Sequence, residues 1–370
     1  MNYPPPPGGP PPPPGNPYPP QGYSGSQQPW PAQQPWSPGL PPKHRGGAWK
    51  WLLGAVALLV VIGVTVAVTI SVTQEGADGP GPAGETFGLA SADDKGPANI
   101  ITEDPSCAAW SPISQTFINI ERSQGWNNRN PAIPATEWTP QQRSQFDKVA
   151  QAARDAADQT VAVAKATPHR VMRELYEQFI AYARAYSDTI PHYTPADDHL
   201  ARVFTSSASV IANICKAITY GSAETRAPLV SQPDAPETLA QLRDPDSPTM
   251  FVTDGDPLCA DWFRLLDRFD RDTKGWQALD PALSAADWTP EQRATIDATI
   301  PVMEEVADEM EALGRATANP IVQDLATLAA QYRRAYAAAL PSYTIPDSFL
   351  SGTASETTSM IWEACKALEG

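Results

Sequence analysis

The plainest chemistry in this 370-residue chain belongs to its four cysteines, Cys107, Cys215, Cys259 and Cys365. Four thiols can form disulfides in three pairings, or can hold a metal. No two of them stand at the C-x-x-C spacing of a zinc site, and His169, His192 and His199 all fall between the first two. That spacing argues against a metal centre. A second chemistry lies in a repeated Tyr-x-Arg-Ala-Tyr stretch, Tyr182–Arg184–Tyr186 and Tyr332–Arg334–Tyr336. On a helix, residues four apart share a face, so the two tyrosines of each stretch stand together and the arginine points away. Such tyrosines can be core residues with hydroxyls bonded at the rim. The arginines can pair across a bundle or bind an anionic group. Tyr182, Arg184, Tyr186, Tyr332, Arg334 and Tyr336 are therefore the candidate ligand-binding residues.

Catalytic signatures are thin. Glu304, Glu305, Asp308, Glu309 and Glu311 crowd one helix, and paired carboxylates can serve as acid and base or hold a hard cation. The corresponding stretch of the first half has only Asp155 and Asp158, so a solvated helix face is the simpler reading. The Gly-x-Ser-x-Gly elbow, the His-Glu-x-x-His pair and a Gly-rich phosphate loop are all missing. These residues call for no cofactor and no metal.

The elements that position these residues are written twice. Cys107-Ala-Ala-Trp110 recurs as Cys259-Ala-Asp-Trp262, Gly125-Trp126 as Gly275-Trp276, and Trp138-Thr139-Pro140 as Trp288-Thr289-Pro290. Pro191, Tyr193 and Thr194 recur as Pro341, Tyr343 and Thr344, and Cys215-Lys216-Ala217 as Cys365-Lys366-Ala367. The offset is 152 at the first cysteine and 150 from Gly125 onward, so the second copy lacks two residues near the end of its first helix. A match this long is a duplication.

Each copy reads as four helices, and the outer part as all-α. Asp104-Pro105 and Asp256-Pro257 open the first helix. Thr139-Pro-Gln-Gln142 and Thr289-Pro-Glu-Gln292 are capping boxes for the second, which Pro301 is expected to kink in copy two. Val171, Met172, Leu175 and Phe179 stripe the third helix, which Pro191 and Pro341 stop. The fourth carries small-residue runs, Thr205–Ser209 and Ser351–Ser355, suited to close helix packing. Since each copy has one cysteine in its first helix and one in its last, the repeat favours Cys107–Cys215 and Cys259–Cys365. Each bond would close a loop of over 100 residues, stabilising by about 4–5 kcal/mol in the chain-entropy model. With its own caps, stripes and staple, each copy is expected to fold alone.

Trp51–Val72 contains no charged residue. At about 1.5 Å per residue, a helix of that length crosses a hydrocarbon core of roughly 30 Å. Lys43, Arg45 and Lys50 precede it and Glu75 and Asp78 follow, which places the N-terminus in the cytoplasm and the large part outside. A signal peptide would be shorter and nearer the N-terminus. The expected organisation is a disordered, Pro-rich cytoplasmic tail (1–50), a transmembrane helix (51–73), a flexible linker (74–103), helical repeat 1 (104–220), a linker (221–255) in which Glu237–Arg243 has short helical character, and helical repeat 2 (256–370). The tail, with proline runs at Pro4–Pro7 and Pro10–Pro14 and aromatics from Tyr3 to Trp36, has no apolar surface to bury. It reads as a spacer or as a docking arm for a cytoplasmic protein. Over about its first 75 residues the chain resembles the actinobacterial, mycobacterial-type single-pass membrane proteins with Pro/Gly/Tyr-rich N-terminal tails. The resemblance implies a place in the cell envelope, not an activity.

The chain carries a formal net charge of −16, and the tail has no acidic residue, so the outer part is more acidic still. That charge repels nucleic acid and anionic lipid headgroups. The leading expectation is a non-catalytic, membrane-anchored extracytoplasmic helical adaptor of the envelope, binding a protein or lipid-like ligand outside. A transmembrane sensor coupling ligand binding to the tail is the alternative, and an enzyme with a carboxylate site the third.

Overall fold

The computed structural model describes residues 86–369. The tail and the apolar run Trp51–Val72 lie outside the described residues; among those described, no helix is long and apolar enough to cross a membrane. Copy one comprises α1 (Ser106–Ser123), α2 (Pro140–Ala166), α3 (Arg170–Thr189) and α4 (Asp198–Thr219). A short α5 (Ser222–Arg226) follows. Copy two comprises α6 (Leu258–Asp272), the brief α7 (Lys274–Gln277), α8 (Pro290–Ala316), α9 (Pro320–Ala339) and α10 (Ser348–Lys366). There is no strand among the described residues.

The repeated sequence signatures are repeated joints. Asp104 accepts from the Ser106 amide at 2.8 Å and from Thr167 Oγ1 at 2.6 Å, tying the start of α1 to the end of α2. Asp256 does the same with Leu258 (2.9 Å) and Thr317 (2.7 Å). Thr139 and Thr289 form reciprocal capping boxes with Gln142 and Gln292, satisfying amides that a helix start otherwise leaves without partners. The preceding tryptophans brace the approach, Trp138 donating to Ile133 O at 2.8 Å and Trp288 to Leu283 O at 3.1 Å. Tyr193 and Tyr343 donate to Pro131 O (2.9 Å) and Pro281 O (2.7 Å). Both staples form as the repeat implied: Cys107–Cys215 and Cys259–Cys365, with Cα atoms 5.5 and 5.6 Å apart.

α8 continues as one helix from Pro290 to Ala316 with Pro301 inside it, at an exposed position. Two expectations need correction. Glu237–Arg243 is not helical; the short helix of the connection is α5. Residues 89–103, read from their Gly/Ala/Asp content as flexible linker, are laid on the body. Leu89, Ala98, Ile100 and Ile101 are buried, and the Ala90 amide donates to Lys165 O at 2.9 Å.

The two copies share one core. The described residues belong to a single compact unit, and one continuous cluster of buried side chains runs from Ala98 to Cys365. The seam is α4 packed along α10. A Cβ added at Gly352 would lie 2.7 Å from Asn213 Nδ2, so the helices approach where copy two has no side chain. The third helices, α3 and α9, are buried on nearly every face.

Candidate functional site

The two Tyr-x-Arg-Ala-Tyr rows lie on α3 and α9, and their tyrosines face inward. Tyr182 and Tyr332 are buried, and each meets the segment that leads into the other copy. Tyr332 accepts from the Ile101 amide at 3.1 Å. Tyr182 packs on Phe251, ring centroids 5.7 Å apart, with its hydroxyl toward the Val252 backbone. Next to Tyr182, Gln178 accepts from the Phe251 amide at 2.8 Å and donates to Thr249 O at 3.2 Å. Two equivalent positions therefore perform equivalent work crosswise. Burial pushes both hydroxyls well above the usual phenol range, so both stay protonated.

Tyr186 and Tyr336 sit one turn on, each in an aromatic box. Tyr186 lies between Trp126, Tyr193 and Phe204. Tyr336 accepts from Trp276 Nε1 at 3.3 Å and packs on Tyr343. The arginines turn outward to the neighbouring helix, as their place in the row implies. Arg184 pairs with Asp158 at 2.7 Å and donates to Asp246 O at 2.7 Å. Arg334 pairs with Asp308 at 2.8 Å and Glu311 at 2.5 Å. Three of the α8 carboxylates, Asp308, Glu309 and Glu311, are thus paired with arginines: Glu309 with Arg268 at 2.5 Å, and Glu311 also with Arg315. Among the described residues, no group of three His, Cys, Asp or Glu side chains is placed to hold a metal.

The histidines scatter. His169 Nε2 lies 2.9 Å from Glu103 O, His192 is exposed, and His199 Nδ1 lies 2.6 Å from Glu363 Oε2 across the seam.

The structure also gathers charges that the motif search passed over. Arg170, Arg173, Glu174 and Glu177 occupy the buried first turns of α3. Arg170 pairs with Asp324 of α9 and donates to Gly96 O at 2.7 Å, and its amide donates to Asp94 at 2.7 Å. Arg173 lies 3.3 Å from Glu177 and 3.7 Å from Glu174. Burial drives the Glu174 carboxyl up to about 8 and Glu177 up to about 7, against the pull of the arginines. This cluster fastens the lead-in segment, α3 and α9 together. A second fastening is Arg226 of α5, whose Nε and Nη2 reach Asp347 at 3.0 and 2.8 Å. A third lies along the seam, where Arg202 and His199 share Glu363. Near its middle, Glu356 bonds Ser206, the same position of the repeat in the other copy, and burial raises the carboxyl to about 7. Several of these groups stand where the copies differ, Arg170 against Pro320, Arg202 against Gly352 and Glu356 against Ser206, but Asp347 matches Asp197 and Glu174 matches Asp324, so the repeat marks them only in part.

The polar groups that converge therefore converge on one another, joining copy to copy and lead-in to body. That is the chemistry of a fastened scaffold. A shallow recess of about 600 Å³ opens where the second lead-in meets α8, between Phe251, Leu258, Leu313 and Ala316.

Residues 89–370 match a family model described as Mycobacterial ESX-1 associated protein. An uncharacterized protein of Mycolicibacterium smegmatis (strain MKD8) is 47% identical over 352 residues, covering 93% of this chain and 92% of that protein. No solved structure matches.

Proposed function

Because the chain belongs to the Mycobacterial ESX-1 associated protein family, we propose that it is a non-catalytic, membrane-anchored adaptor of the ESX-1 secretion system. In this reading Trp51–Val72 anchors it in the inner membrane. The Pro-rich tail offers the cytoplasm a docking arm, and the stapled helical body presents an outer surface to envelope partners. The observation that carries the reading is the fusion of two disulfide-stapled copies into one body through α4 and α10. Its buried charges are spent on joining elements, which suits a fixed surface for protein contact better than a reactive cleft. The stapled body fits an oxidising compartment outside the membrane, and its acidity fits a protein partner rather than nucleic acid.

Co-purification tests this. Full-length and tail-deleted chains are isolated from detergent-solubilised mycobacterial membranes after brief crosslinking. ESX-1 components should accompany the full-length chain, and an inner partner should be lost with the tail. An engineered cysteine near Gly81 should react with an impermeant thiol reagent in intact cells while one in the tail does not. Reversed labelling, or ESX-1 components no more abundant than in a mock purification, would sink the proposal.

A further inference from the structure

The aromatic boxes of the two copies differ in one electrostatic respect. In copy one the guanidinium in the box is that of Arg129, 4.2 Å above the Trp126 ring and 2.6 Å from the Asp198 carboxylate. In copy two the corresponding positions are Leu279 and Ser348, so both the arginine and its counter-ion are gone. The charge has nevertheless been replaced. Arg333 of α9, where copy one has Ala183, brings its guanidinium 4.5 Å above the Phe269 ring. Arg333 is fully buried, and Nε, Nη1 and Nη2 all lack a hydrogen-bond acceptor.

A buried guanidinium without an acceptor costs several kcal/mol. The aromatic face returns only part of that. Asp347, whose charge acts on Tyr336, is already engaged by Arg226 and by both polar groups of Thr344, and the Arg333 guanidinium is left without an acceptor. Desolvation lowers the Arg333 pKa only to about 10, so the group is a cation at neutral pH. Tyr336 stands beside it, with a hydroxyl that accepts from Trp276 and keeps its own proton to donate, its pKa raised to about 12. The box is also the more accessible of the two. Trp276, which lies on the four-residue α7, is only half-buried where Trp126 is 2% exposed.

We infer that copy two binds a small monovalent anion of halide size between the Arg333 guanidinium and the Tyr336 hydroxyl, in the place of the carboxylate that copy one carries as Asp198. The anion completes the box from outside where copy one completes it from within. With Arg333 fully buried and Tyr336 5% exposed, a bulky or polyvalent anion would have to displace the aromatic side chains, which limits the ligand to a small one.

Thermal unfolding of the full-length protein in detergent tests the site, with chloride replacing gluconate at constant ionic strength. The wild-type midpoint should rise by several degrees along a saturating curve, and bromide should act like chloride. In Ser348→Asp, which puts back the carboxylate of copy one, the midpoint should already be higher in gluconate and chloride should add nothing. Arg333→Met should likewise lose the response. A wild-type midpoint that does not distinguish chloride from gluconate overturns the site, as does a saturating response retained by Arg333→Met. If Arg333→Met does not fold, Ser348→Asp decides: a chloride response equal to wild type overturns it.

Discussion

Glu174 shows how far burial reshapes a single residue here. A carboxyl in the first turns of α3, fully enclosed and drawn on by Arg170 and Arg173, still ends with its pKa raised to about 8, because desolvation outweighs both cations. Glu177, Glu121 and Glu356 are each raised to about 7, with burial again the largest cause. The folded protein therefore binds protons that the unfolded chain, with carboxyls at 4.5, releases. Stability falls as pH rises from the unfolded value through the folded ones, and recovers on acidification from pH 8 toward pH 5. Asp244 and Glu291 are lowered instead, but both are exposed and their bonds are screened. The expected outcome is a denaturation midpoint that is higher at pH 5.5 than at pH 8. Glu174→Gln keeps the shape and removes the strongest titration, so it should flatten the dependence by on the order of 2 kcal/mol. A midpoint higher at pH 8 than at 5.5 in the wild type would contradict the sign.

Among the elements, the staples join first helix to last in each copy, and their effect depends on what else holds those helices. Cys107 lies on α1, which packs on α2 and α4, and Cys215 lies on α4, which also forms the seam with α10. Cys107→Ser should leave Cys215 as the one new free thiol and cost about 2–5 kcal/mol. Had the copies been independent, that loss would stay in copy one. With α4 shared, the whole unfolding curve should move, read by tryptophan fluorescence and far-UV circular dichroism together. Two separated transitions would argue against the shared helix. The helices, caps and staples were legible in the sequence because they rest on short-range chemistry repeated twice: a capping box at Thr139 and Thr289, a Cys-x-x-Trp at Cys107 and Cys259. The tyrosine rows were legible as helical stripes, but what covered them was not. Tyr332 meets Ile101 across more than two hundred residues, and no local pattern records that partner. Nor did the repeat reveal the seam. A pseudo-twofold contact sets a position against its own equivalent, as with Ser206 and Glu356, and a face described as small and polar says nothing of its cover. The lead-in 89–103 hides its docking for the same reason: its few apolar residues, Ala98, Ile100 and Ile101, join the core through partners distant in sequence.

At the scale of the molecule, duplication has produced one folding unit rather than two. The argument rests on where buried groups find their partners. Copy one's Tyr182 and Gln178 hold the segment that enters copy two, while copy two's Tyr332 and Asp324 hold the segment and helix of copy one. Arg226 reaches from the end of copy one to Asp347 and Ser342 of copy two. A fragment ending near Tyr220 would expose the α4 face along with Gln178 and Arg170, and a fragment starting at Asp256 would leave Asp347 buried without Arg226. An orphaned member of a buried ion pair alone costs about 3–5 kcal/mol, comparable to what the fragment's own staple returns, and the apolar seam surface exposed along α4 or α10 adds to that loss. The expected outcome is one cooperative transition for residues 86–370 and no cooperative melt for either fragment alone. The seam can be tested without cutting the chain. Gly352→Leu drives a side chain into Asn213, and overpacking of this kind costs roughly 1–3 kcal/mol. If α4 and α10 bind the copies into one unit, Gly352→Leu should lower the midpoint seen by reporters in both copies equally. Trp126 and Trp276, each kept as the principal fluorophore in turn, would supply those reporters. Loss confined to Trp276 would show that the copies unfold separately and that the seam is only a contact between two finished domains.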